Sequence, residues 1–130
     1  MKDELKYSLG ELKKACQRLQ EGCAAAKDGL DRDGVIQRFE FTFELLWKTL
    51  RLFLRDKGLD AKSPKDSLKE AFRMGWIKDE ETFSQMLEDR NLTSHFYKEE
   101  KAKEIFIRIK DKYVAALHNV VVALGEILDK

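Results

Sequence analysis

The chain has 130 residues, of which 43% are hydrophobic and 38% are charged, and its formal net charge is +1. This length and hydrophobic content predict one folded domain over residues 1–130 and exclude a disordered chain. Because basic and acidic residues nearly balance, a nucleic-acid-binding role would need a local basic patch. No segment has the roughly 18 apolar residues of a membrane span, and Met1–Lys6 lacks the apolar core of a secretion signal. We therefore expect a cytoplasmic protein without membrane contacts.

The first predicted helix carries an apolar stripe at intervals of three and four residues. The stripe consists of Leu5, Leu9, Leu12, Cys16, Leu19 and Cys23, and its spacing is typical of helix bundles. We expect this helix to end near Lys27–Gly29, with Gly29 in a left-handed cap. Its two cysteines lie roughly 10 Å apart along the helix axis, which is too far for a mutual disulfide, so we expect both to be reduced.

Four more helices are predicted from the helical spacing of apolar residues in the rest of the chain. Their expected starts are Asp31 or Asp33, Ser63–Pro64, Asp79 and Lys98–Glu100, and the second and third helices are expected to end at Lys57–Gly58 and Gly75. The second helix is apolar on more than one face, so we expect it to lie centrally or against a partner. The third is expected to direct Leu68, Ala71 and Phe72 inward. Three long and two short helices with brief connections predict an all-α, up-and-down bundle.

The stretch Arg90–Tyr97 places an arginine, an asparagine, a histidine and a tyrosine within eight residues. Arginine binds phosphate oxygens well, and histidine transfers protons near neutral pH. In an uninterrupted helix Arg90 and His95 point about 140° apart, whereas Asn91 and His95 share a face. Arg90 and His95 therefore converge only if the helix loosens near Thr93–Ser94 or if a second copy of the chain contributes across a twofold axis.

A purely structural role for the same stretch stays open on the residues alone. Arg90 could pair with Glu88 or Asp89, and His95 could stabilise the end of its helix. An arginine and a histidine five positions apart are also common in unrelated sequences. The spacing by itself therefore does not decide between a catalytic and a structural role.

Charged residues on the second helix form a second group of candidates. Glu40, Glu44 and Lys48 are spaced four apart, which is typical of a solvated ladder of ion pairs. Lys48 and Arg51 belong to a basic stripe that could steer an RNA backbone, although nearby acidic residues make an ordinary solvated surface equally consistent. The chain has neither histidines and cysteines at zinc spacing nor an acidic cluster typical of magnesium sites, so we expect no metal and no cofactor.

The spacing Arg90-x4-His95-x-Tyr97 resembles the motif of the HEPN family. A second stretch, Gln37–Lys48, resembles a helix of the nucleotidyltransferase substrate-binding-protein branch of that superfamily. Ser63–Pro64, followed by Ala71–Phe72 and by Gly75–Ile77, also fits that branch. The resemblance covers nearly the whole chain. It implies a HEPN-like bundle that forms a homodimer and has a separately encoded minimal nucleotidyltransferase as its partner.

The resemblance further implies a metal-independent ribonuclease toxin whose partner neutralises it, in some systems by adding AMP to the motif tyrosine. RNA supplies its own nucleophile, the 2′-hydroxyl, so the enzyme needs a proton-transfer group and a cation that stabilises the developing charge. We expect His95 and Arg90 in these two roles, with Asn91 orienting the histidine or holding a phosphate oxygen. Tyr97 is then the expected AMP acceptor, and Glu40 is expected to line the cleft.

Two alternatives to a ribonuclease remain. One is a non-catalytic substrate-binding subunit of a two-chain nucleotidyltransferase, and the other is a regulatory or scaffold bundle with an inactive motif. The intact set of Arg90, His95 and Tyr97 favours the ribonuclease, because a substrate-binding subunit has no evident need for an arginine and a histidine together. In each case we expect no DNA partner, and adenylyl transfer is expected from the partner chain because this chain lacks a Gly-Ser loop with paired aspartates.

Overall fold

The computed structural model describes residues 1–95 and 97–130, and every regular element in these two ranges is a helix. Helix α1 spans Lys2–Ala25, α2 spans Gly29–Asp56, α3 spans Pro64–Arg73, α4 spans Glu80–Thr93 and α5 spans Glu99–Arg108; a π-helical turn, Ile109–Tyr113, then leads into α6, Val114–Leu128. Because α5, the π turn and α6 are continuous, three long and two short helices result, and the all-helical prediction is confirmed. Among the described helices, none has the length and apolarity needed to cross a membrane.

The predicted boundary between the first two helices is wrong. Helix α1 ends at Ala25, and α2 begins at Gly29, before the expected start at Asp31 or Asp33. The cause is Asp28, whose side chain accepts a hydrogen bond from the Asp31 backbone N–H at 2.9 Å and thereby caps α2. Gly29 is therefore the first residue of α2 and does not adopt a left-handed backbone conformation.

The starts of α3 and α4 follow the predicted capping chemistry. Ser63 and Asp79 each accept a hydrogen bond at 3.1 Å from a backbone N–H three residues later. Gly75 has a φ of +78° in the turn that follows α3, which is the conformation that glycine favours. Phe72, however, was expected to face inward and is 40% exposed. The buried residues of α3 are Ser67, Leu68 and Ala71.

A single hydrophobic core joins the helices, with α2 at its centre. Helix α2 contacts α1, α3, α4 and α5, as expected from its apolar residues on several faces. The largest fully buried aromatic side chains are Phe39, Phe43 and Phe53 of α2 and Tyr113 of the π turn. Phe41 lies on the outer face of α2 and is 60% exposed. This packing places the middle of α2 beside the end of α4, where the motif residues lie.

Candidate active site

The guanidinium of Arg90 is held where α4 meets α2. Its Nη2 donates a hydrogen bond to Oε1 of Glu44, and its Nη1 donates to Oδ1 of Asn91 at 3.2 Å. Arg90 therefore pairs with Glu44, and the pairing with Glu88 or Asp89 considered from the sequence is wrong. Because the Arg90 side chain is 30% exposed, it remains accessible to a ligand from solvent.

Both carboxylate oxygens of Glu44 have partners. Oε1 accepts from Arg90, and Oε2 accepts from Nε1 of Trp47 at 3.1 Å and lies 3.9 Å from Nζ of Lys48. Of the ladder of ion pairs predicted on α2, the contact between Glu44 and Lys48 is present among the described residues. At 3.9 Å it is the weakest of the three contacts that Glu44 makes. Sequence reasoning missed Trp47 and the link from Glu44 to Arg90, although the spacing of three between Glu44 and Trp47 was a signal for their contact.

Glu40 lies one turn before Glu44 on α2 and faces the same end of α4. Burial raises the pKa of the Glu40 carboxyl group, and the nearby Thr93 hydroxyl and Arg90 guanidinium partly oppose that rise. Burial also raises the pKa of the Tyr97 phenol, and the carboxylates of Asp33 and Glu40 add to this effect. Tyr97 is therefore a neutral phenol at physiological pH, in acidic surroundings that Asp33 and Glu40 provide.

His95 lies just beyond the end of the helix that carries Arg90. Helix α4 ends at Thr93, and the His95 backbone N–H donates to the carbonyl oxygen of Leu92 at 3.2 Å. The helix therefore ends at Thr93–Ser94, where a loosening was one of the two conditions for Arg90 and His95 to converge. The His95 side chain is exposed, and within residues 1–95 and 97–130 no hydrogen bond links it to Arg90. One protomer thus brings Arg90, Asn91, Glu44 and Glu40 together.

The two basic candidates on α2 continue along the helix from Glu44. Lys48 and Arg51 follow at intervals of four and three, so they share its face. The Lys48 side chain is 61% exposed. Arg51 is half-buried, and its Nε has no hydrogen-bond partner among the described residues. These two cations therefore lie on the same face of α2 as Glu44, the partner of Arg90.

Tyr97 opens onto a surface cavity of about 410 Å³ between the starts of α2 and α5. Arg32, Asp33 and Glu99 also line the cavity. Nη2 of Arg32 lies 3.9 Å from Oε1 of the exposed Glu99, so the two form only a loose pair. The described residues contain no cluster of three or more histidine, cysteine or acidic side chains arranged to hold a metal ion. The other histidine, His118, lies on α6 and faces different cavities.

Comparison with known proteins assigns the chain to a family. Residues 4–126 match the family described as nucleotidyltransferase substrate binding protein like. The chain belongs to this family, a branch of the HEPN superfamily. The HEPN resemblance inferred from Arg90–Tyr97 and Gln37–Lys48 is thereby confirmed.

Two relatives extend the comparison of this HEPN chain. A Haemophilus influenzae protein named probable ribonuclease HepT is 37% identical over an alignment of 83 residues, and the match covers 60% of this chain and 57% of that protein. The aligned segment therefore spans little more than half of that relative. A crystal structure of a Thermus thermophilus protein has 36% sequence identity and a TM-score of 0.81, and the match covers 87% of this chain and 98% of the other. The HEPN-like fold is confirmed by this similarity.

Proposed function

We propose that this HEPN protein is an endoribonuclease toxin that a cognate minimal nucleotidyltransferase controls. The observation that carries the proposal is the arrangement at the end of α4, where Glu44 and Asn91 hold the Arg90 guanidinium and an exposed histidine follows directly. The relative named probable ribonuclease HepT supports the same activity. A guanidinium held by two neighbours is oriented for a phosphate group, and an exposed imidazole is free to transfer a proton.

The proposed reaction is cleavage of RNA by its own 2′-hydroxyl. The 2′-oxygen forms a bond to the adjacent phosphorus, its proton passes to His95, and the bond from phosphorus to the 5′-oxygen breaks. The leaving 5′-oxygen takes up a proton from water, and His95 returns its proton to the solvent. The products are a 2′,3′-cyclic phosphate and a 5′-hydroxyl. Arg90 stabilises the negative charge that develops on the phosphorane. In this proposal Asn91 orients His95 or holds a further phosphate oxygen, and Lys48 and Arg51 bind the RNA backbone beyond it.

The complete site is proposed to need a second copy of the chain, because among the described residues of one protomer no hydrogen bond links His95 to Arg90. The outer face of α2 next to Glu44 offers an apolar surface for that copy, since Phe41 is 60% exposed and Leu45 is only partly buried. A twofold axis near this surface would place two arginines and two histidines around one cleft. The proposed active unit is therefore a homodimer with a shared site.

Subunit mixing tests the shared site. Arg90→Ala and His95→Ala dimers are each expected to be inactive. If one protomer supplies the arginine and its partner supplies the histidine, a mixed dimer contains one intact site, and activity returns after the two variants are unfolded and refolded together. Mixtures that stay inactive although mass spectrometry detects the mixed dimer would contradict a site with one arginine and one histidine from different copies.

Control by the nucleotidyltransferase is proposed to act on Tyr97. The partner would join the α-phosphate of ATP to the phenol oxygen and release pyrophosphate, as the phenol loses its proton. The product places a phosphate and a nucleoside beside the cavity of about 410 Å³ that Arg32 and Asp33 also line. The added phosphate can pair with Arg32 or Arg90, and the nucleoside can block access to the cleft.

The test of the ribonuclease is incubation of the purified chain with labelled single-stranded RNA in EDTA, followed by analysis of the product ends. We expect cleavage that leaves 2′,3′-cyclic phosphates. The family description favours a second candidate, a substrate-binding subunit of a two-chain nucleotidyltransferase. That candidate predicts no RNA cleavage, together with a partner nucleotidyltransferase that transfers nucleotides to its small-molecule substrate only when this chain is present.

A further inference from the structure

A buried ionic network lies on α4 immediately beside Arg90. The side chain of Asp89 is 7% exposed, and both of its oxygens accept hydrogen bonds from Arg108. Nε of Arg108 donates to Oδ2 and its Nη2 donates to Oδ1, each at 2.8 Å, and the Tyr113 hydroxyl donates to Oδ2 at 2.5 Å. Asp89 therefore accepts from three donors, two on Arg108 of α5 and one on Tyr113 of the π turn, while its neighbour Arg90 faces α2.

The π turn explains how Arg108 and Tyr113 reach the same carboxylate. These residues are five positions apart, and in an α-helix their side chains would point about 140° away from each other. In a π-helix the hydrogen bond runs between residues five apart, so residues at this spacing lie above one another. The turn spans Ile109–Tyr113. It therefore brings the guanidinium and the phenol onto one face, toward Asp89.

The network also reaches α2. The ring of Tyr113 stacks on Phe39, with ring centroids 5.4 Å apart and an angle of 23° between the planes. Phe39 is the residue before Glu40, which lies beside the site. Burial and the Asp89 carboxylate raise the pKa of Tyr113, and the hydrogen bonds to Asp89 raise the pKa of Arg108. At neutral pH the phenol is thus a neutral donor and the guanidinium is charged, and both bind Asp89 strongly.

We propose that Asp89, held by Arg108 and Tyr113 across the π turn, is a positioning residue for the active site. It fixes the rotation of α4 about its axis, so that Arg90 meets Glu44 and presents its free N–H groups to RNA. A rotation of about 20° would move a guanidinium roughly 7 Å from the helix axis by about 2 Å. A displacement of only 1 Å can lower an enzymatic rate by about 100-fold. The catalytic consequence rests on the proposed ribonuclease function, whereas the effect on Arg90 orientation does not.

The test uses variants that loosen the network with little change in shape. Tyr113→Phe removes one hydrogen bond and keeps the ring that stacks on Phe39, and Asp89→Asn removes the charge at nearly constant volume. Arg108→Lys keeps the charge but loses the paired hydrogen bonds. The matched control is Ile105→Val, because Ile105 is fully buried in α5 and its shortening loosens the same helix while the three hydrogen-bond donors of Asp89 are kept.

The first readout is the side-chain NMR signal of the Arg90 Nε–H group, assigned with Arg90→Lys. We expect this signal to shift or broaden in Tyr113→Phe and Asp89→Asn and to stay unchanged in Ile105→Val at a similar melting temperature. The second readout is RNA cleavage, for which we expect kcat to fall about 10- to 100-fold in Tyr113→Phe, with KM changed less than about threefold. Arg108→Lys should give an intermediate loss.

The two readouts separate the proposals. If the wild-type chain does not cleave RNA, the ribonuclease proposal fails, and the NMR signal still decides whether Asp89 positions Arg90. An Arg90 signal that is the same in wild type, Tyr113→Phe and Arg108→Lys would overturn the positioning role, even if Asp89→Asn does not fold. The role is equally overturned if cleavage in Tyr113→Phe falls no further than in Ile105→Val, because the network would then contribute only stability.

Discussion

Replacing Glu44 by glutamine removes one negative charge beside Arg90 and keeps the size of the side chain. In the wild type, the two oxygens of Glu44 accept hydrogen bonds from two donors, Arg90 and Trp47. A glutamine offers one acceptor and one donor end, so it can satisfy only one of these partners. We therefore expect Glu44→Gln to loosen Arg90 and, at the same time, to remove a carboxylate that repels an RNA phosphate.

The magnitudes follow from the exposure and charge of the pair. A charge-assisted hydrogen bond contributes about 1.5–3 kcal/mol. Because the Arg90 and Glu44 side chains are 30% and 33% exposed, solvent screening lowers the expected loss of unfolding free energy to about 1 kcal/mol. The Glu44 carboxylate and an RNA phosphate roughly 6 Å apart, at an effective dielectric constant of about 40, repel each other by about 1.4 kcal/mol. Loss of this repulsion corresponds to an increase of about tenfold in affinity. The Kd for RNA should thus fall about tenfold, while kcat falls because Arg90 is no longer fixed.

The assay measures binding and cleavage separately. Fluorescence anisotropy of a labelled RNA gives the Kd in a His95→Ala background, where the RNA stays intact, and single-turnover cleavage gives the rate with His95 present. The matched control is Glu88→Gln, which removes the same charge from an exposed position on α4. If Glu44→Gln binds RNA as weakly as the parent or more weakly, the proposed repulsion between Glu44 and an RNA phosphate is refuted. If Glu88→Gln tightens RNA binding equally, the change in net charge explains the effect and the position of Glu44 does not.

Three further predictions concern modification, thiol chemistry and assembly. Co-expression with the active nucleotidyltransferase should add an adenylate to Tyr97, and Tyr97→Phe should stay toxic but resist control; neutralisation with Tyr97 unmodified would contradict this mechanism. Burial raises the pKa of the Cys16 thiol from 9.0 to about 11. Alkylation of this thiol at pH 8 should therefore be about 100-fold slower than that of a free thiol. Mass spectrometry of the Cys23→Ser variant, in which Cys16 is the remaining cysteine, measures this rate. Sedimentation at micromolar concentration should give a dimer, and a clean monomer would remove the shared site.

Features that depend on neighbouring residues were predictable from the sequence. The caps at Ser63 and Asp79 bind backbone groups three residues later, so their effect is visible within a few positions. The start of α2 was harder, because Asp28, Asp31 and Asp33 are all good capping residues and the sequence does not rank them. The all-helical bundle was predicted from apolar spacing along the whole chain. The errors at the boundary between α1 and α2 and at Phe72 therefore did not change the predicted fold class.

Features that depend on packing between helices were not predictable. Arg90 and Glu44 are 46 residues apart in the chain, so their pairing depends on how α4 meets α2. The π turn was likewise not predictable, because Ile109–Tyr113 reads as ordinary helix in the sequence. The motif itself identified Arg90 and His95, but it carried no information about the groups that hold Arg90 in place.

The most direct test of the ribonuclease compares the two histidines of the chain. His95 follows α4 at the proposed site, and His118 lies on α6; both are exposed, so replacing either by alanine should leave the melting temperature unchanged. The measurement is the initial rate of cleavage of a labelled single-stranded RNA in EDTA. We predict that His118→Ala cleaves at the wild-type rate and that His95→Ala is slower by about 100- to 10,000-fold. A wild-type rate in folded His95→Ala would contradict the proposed activity.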